Sequence, residues 1–107
     1  MYHSHDLVSI IERDTGYIGY CEACQKYNFA YKNALFIFSE DEFRAFRQLL
    51  VERIGLYEFY TSHGKELFLK TPLPNYFILF AENEIEEMLE MITETTLILD
   101  ARRIVNS

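Results

Sequence analysis

Residues 34–46 read ALFIFSEDEFRAF: five apolar residues in a row, a serine, three acidic residues, then apolar residues at helical spacing. An unbroken apolar run of this length fits a strand covered on both faces, whereas a strand with one wet face alternates. Ser39 can cap a helix, and Glu42, three positions on, can reach back to close a capping box. Phe43, Phe46, Leu49 or Leu50, and Ile54 then give that helix one apolar face, and Gly55 suits its C-terminal exit. The segment therefore reads as strand, cap and helix. Much the same arrangement returns at 77–88, FILFAENEIEEM, where Phe80, Glu82, Glu84 and Ile85 stand in the places of Phe38, Glu40, Glu42 and Phe43.

Ahead of the first junction lies a meander. Leu7 to Glu12 is β-rich, Asp14-Thr15-Gly16 turns, Tyr17 to Cys21 is strand-like, and Lys26 to Tyr31 alternates aromatic with polar or small residues before Lys32-Asn33 turns again. Ahead of the second junction, FYTSHGKELFLK matches YCEACQKYNFAYK, placing His63 at Cys24, Lys65 at Lys26 and Phe68 at Phe29. Two matched blocks, 17–54 and 56–100, suggest an internal duplication within one domain spanning 1–107. The expected fold is α+β. It has a largely antiparallel sheet of about six or seven strands and two helices, in βββα–βββα order behind one extra strand. The second helix is expected from Glu82 to about Asp100, with Ile85, Met88, Leu89, Ile92, Thr96 and Leu99 on its buried stripe.

Composition excludes several functions. A net charge of −7, with basic residues scattered singly except for Arg102-Arg103, argues against a surface that tracks nucleic-acid phosphates. KYNFAYK is faintly similar to the aromatic sheet motif of RNA-recognition domains, but the element order and the acidity are wrong for it. No apolar run approaches the ~20 residues of a bilayer span, and the N-terminus lacks the basic and apolar regions of a secretion signal. A cytoplasmic protein with no membrane partner is the expectation. No G-x-S-x-G, P-loop, G-x-G-x-x-G or H-E-x-x-H occurs, so no enzyme class is indicated.

The one motif with chemical potential is Tyr20-Cys21-Glu22-Ala23-Cys24, a C-x-x-C in a turn between strands. It resembles the first knuckle of a zinc ribbon, without the usual glycine after the second cysteine and without a second C-x-x-C. A closed zinc site needs four ligands, and the remaining ones would come from His3, His5 or His63. Redox use is disfavoured, since no helix N-terminus follows and Glu22 adds negative charge. The reading placed first is a pair of inert thiols with no cofactor, and zinc is the alternative.

The CEAC turn, the capped FSEDEFRAF segment and HGKELFLKTPLPNYFILF together resemble a small bacterial family of unknown function. That resemblance implies a bacterial cytoplasmic origin and no activity.

Two surfaces remain as binding candidates. Glu86, Glu90 and Glu94 stand four apart with no Lys or Arg between Glu82 and Asp100, an acidic ridge that a basic protein partner would fit. The two-sided apolar strands leave one face in search of cover, either Phe36 and Phe38 with Phe77 and Leu79 or the alternates Leu35 and Ile37 with Ile78. Either set would make a homodimer face. The function expected is a non-enzymatic protein-binding or assembly module.

Overall fold

A computed structural model describes residues 7–58 and 67–105. The element order is β1 (Leu7–Glu12), β2 (Gly16–Cys21), β3 (Lys26–Tyr31), β4 (Ala34–Phe38), α1 (Glu40–Glu52), β5 (Leu56–Glu58), β6 (Leu67–Lys70), β7 (Phe77–Phe80) and α2 (Glu82–Val105). The strands form two antiparallel sheets, one of four strands in the order β1-β2-β3-β4 and one of three in the order β5-β6-β7. This corrects the expectation of one sheet. Alternation and turn residues say where strands lie, but not which edges meet after a helix has carried the chain away.

Both helices cover the same face of the first sheet, α1 over β3 and β4, α2 over β1 and β2. Ile11, Ile18 and Phe29 lie side by side across three strands in register and point into this core. They meet Phe43, Phe46 and Leu50 of α1 and Ile85, Met88, Met91 and Ile92 of α2. Tyr27 stacks on Phe43 with centroids 4.1 Å apart, and Phe36 packs on Phe46 at 4.9 Å. The second sheet adds Leu56 and Phe80, with Leu67, Leu69 and Ile78 partly covered, to the same core.

The capping box forms: the Ser39 hydroxyl accepts from the Glu42 backbone N–H, and the Ser39 N–H donates to the Glu42 carboxylate at 2.8 Å. That hydrogen bond from the Ser39 backbone holds the Glu42 carboxyl below its ordinary range. Arg53 ends α1 in the left-handed conformation and Gly55 follows with φ +85°, while Ile54 is left exposed. The second helix runs five residues past Asp100 and buries Met91 and Thr95, whereas Thr96 is exposed. No described helix is long and apolar enough to cross a membrane.

On the outer face of the first sheet the Tyr17 ring lies over Gly19, where an added Cβ would sit 2.1 Å from the Tyr17 hydroxyl. Further along that face, on edge strand β4, Leu35 and Ile37 are 64% and 59% exposed.

Candidate functional site

Side chains alternate along β5, β6 and β7, so the residues that do not enter the core project together on the other side. Tyr57, Phe68 and Leu79 sit side by side in register, and Phe77 pairs with Lys70 at the next position. The rings pack on one another: Tyr57 and Phe68 have centroids 5.3 Å apart, Phe68 and Phe77 meet edge to face at 5.1 Å, and the Lys70 ammonium lies 5.0 Å over Tyr57. Tyr57 and Phe77 are nonetheless close to half exposed. The fold thus presents an aromatic face with no described element over it.

This face borders a cleft of about 570 Å³, walled on one side by Lys32 to Phe36 and on the other by Tyr76 to Phe80. The walls are consecutive residues, so strand edges line the cleft as well as side chains. Of the proposed dimer-face residues, Phe77 and Leu79 lie on the outward face, but Phe36 and Phe38 point under α1 against Phe46. On β4 the outward residues are the alternates, Leu35 and Ile37, because α1 follows β4 directly and folds back over its Phe36 side.

The acidic ridge finds a basic group inside the molecule. The Arg13 guanidinium, in the β1–β2 turn, lies 3.0 Å from Glu90 and 2.7 Å from Glu94. Glu86 is exposed and makes no ion pair among the described residues. One turn away, Glu87 accepts from the Tyr31 hydroxyl at 2.7 Å and from Thr15 at 2.8 Å. These two hydrogen bonds, Tyr31's foremost, hold the Glu87 carboxyl below the usual carboxylate range. Burial, and then the bond to Glu87, pushes the Tyr31 phenol well above its ordinary value. Glu84, 2% exposed, completes the seam: one oxygen accepts from the Ala81 N–H at 2.7 Å and the other from the Lys32 ammonium. Sequence reasoning placed Glu84 at a solvated helix start. Its match to Glu42 was the signal that it reaches back to the chain. The seam fastens the strand ends to α2, and every polar atom named in it is partnered.

At the cysteine turn, Leu7 pairs with Cys21, and the Cys24 N–H points at the Cys21 sulfur at 3.4 Å. Cys21 is buried and Cys24 exposed, both as free thiols. The hydrogen bond with the Cys21 side chain raises the Cys24 pKa, which works against a reactive thiolate. Gln25, where a knuckle has glycine, takes a left-handed φ of 55°. Among the described residues no three metal-ligating side chains gather, so the zinc reading is not favoured; His3, His5 and His63 lie outside them.

No curated protein and no solved structure matches this sequence. A family model does, over residues 3–104, and its description is a family of unknown function. The turn, capped junction and second hairpin all fall within the matched span, and the chain belongs to that family, DUF6686.

Proposed function

We propose that the protein is a non-enzymatic binding or assembly module, that it works through the outward face of β5–β7 and the adjoining surface of β4, and that its first partner is a second copy. The observation that carries this reading is the exposed aromatic face. Tyr57, Tyr76, Phe77, Leu35 and Ile37 are each about half exposed or more. At on the order of 100 Å² apiece, they present about 500 Å² of apolar surface. A homodimer interface is about 65% apolar, so this corresponds to roughly 800 Å² per partner, the area of a standard stable interface. A two-fold arrangement closes on itself and needs only one such face. Light scattering coupled to gel filtration is expected to give a dimer mass at micromolar concentration, and Phe77→Glu a monomer with unchanged circular dichroism. A clean monomer at high micromolar concentration would refute self-association.

The two units, β2–α1 and β5–α2, are on this reading copies of one ancestral βββα unit within a single domain. The support is their order and one repeated device. In each, the third helical residue is a glutamate whose carboxylate takes the N–H of the residue before the helix, Glu42 from Ser39 and Glu84 from Ala81. An experimental structure in which the two units fail to superpose through strand, cap and helix would remove the idea.

A further inference from the structure

The seven strands leave four sheet edges, and they are not treated alike. An open edge is a row of unpaired N–H and C=O groups, and proteins that keep such edges unused shorten, bend or charge them. The two edges away from the cleft follow this rule. The β1 edge breaks register between Ser9 and Ile11, and the β5 edge is three residues long and ends in Glu58. The two edges that line the cleft do not. The strands ALFIF and FILF contain no charge, no proline and no irregularity in their pairing. No described strand pairs with the cleft side of either.

We propose that this cleft receives an extended peptide segment of a cationic partner, which adds as a strand between β4 and β7 and joins the two sheets into one. The inference deepens the binding reading above and rests on it, naming the form of the partner rather than the face alone. Three features select this occupant. Opposed backbone edges call for a chain that offers hydrogen bonds on both sides, which a helix or an apolar small molecule does not. The five residues of β4 span about 17 Å of extended chain, enough for a segment of five to seven residues. Neighbouring side chains of that segment would alternate between the core side, near Phe36 and Ile78, and the outward side, near Leu35 and Phe77. The net charge of −7 favours a segment carrying lysine or arginine.

The test uses a seven-residue peptide alternating lysine with valine, titrated into the full chain and followed by nuclear magnetic resonance and hydrogen exchange. Saturable binding is expected, with backbone amides of 34–38 and 77–80 slowing in exchange while those of β2 do not. Two further peptides, N-methylated on one or the other set of alternate amides, should each bind at least tenfold more weakly, since each blocks one edge. Loss with only one methylation pattern would mean addition to a single edge and overturns the bridging arrangement. Undiminished binding by both methylated peptides overturns strand addition altogether while leaving side-chain recognition at the face standing. Absence of binding by the unmodified peptide also overturns it, and self-association is then decided separately by the solution mass.

Discussion

Tyr31 carries more of the fold's polar organisation than any feature of its sequence context announces. Its ring is buried in the core while its hydroxyl reaches Glu87 on α2. Tyr31→Phe removes one hydrogen bond to a carboxylate and is expected to cost about 1.5–3 kcal/mol in urea unfolding at pH 7. The pH dependence has a definite sign. The Glu87 carboxyl is depressed in the folded chain, so its contribution is complete above the unfolded value of about 4.3 and is lost as pH falls through the folded value. The difference between wild type and Tyr31→Phe should therefore narrow on acidification below about pH 4; a constant difference from pH 7 to pH 3 would contradict the role given to Glu87. Cys24→Ser, at an exposed position, should change stability by less than about 0.5 kcal/mol. Protein purified without a histidine tag that holds one zinc per chain, and loses it on this substitution, would reverse the ordering of the two cysteine readings. Alternation in KYNFAY marked Tyr31 as a core side chain, but nothing local shows that its hydroxyl meets a helix 56 residues later.

The first four strands and the capped helix were legible because each is bounded by its own signal: Asp14-Thr15-Gly16, the C-x-x-C turn, Lys32-Asn33 and Ser39. The long helix was harder. Apolar residues occur around much of its circumference, Leu97, Ile104 and Val105 being exposed, so the stripe through Met91 and Thr95 could not be separated from the one through Thr96. The two helix starts allow a direct comparison. Glu42 lies in the open, whereas Glu84 is buried and also paired with Lys32. Ser39→Ala should cost about 1 kcal/mol as a lost cap. Glu84→Ala should cost more than Glu42→Ala, by about 1–2 kcal/mol, because it strands the Lys32 charge and a buried N–H. Thermal unfolding of the three variants measures this order, and equal effects at the two glutamates would contradict it.

The molecule as a whole is more open than its length requires: its radius of gyration is 15.0 Å, against about 13 Å for a compact chain of this size. The two sheets contribute to one core yet leave β4 and β7 apart across a cleft, an arrangement invisible in periodicity because it depends on how the second meander docks. The alternation did show that one apolar face would want cover, without showing that α1 takes the Phe36 side of β4. Since Leu56 and Phe80 share a core with Ile18 and Phe29, unfolding should be one transition, coincident by far-ultraviolet and near-ultraviolet dichroism; two separated transitions would divide the chain into independent units. The central claim is that the outward face of β5–β7 and the adjoining β4 surface make the contact with a partner copy. Hydrogen exchange measured across a dilution series, from high micromolar to nanomolar chain, tests it most directly. The account predicts that protection in 67–70, 77–80 and 34–38 falls on dilution while that of β2, β3 and the exposed Glu86 ridge stays constant; concentration-independent exchange in these strands, or dependence confined to the ridge, would contradict it.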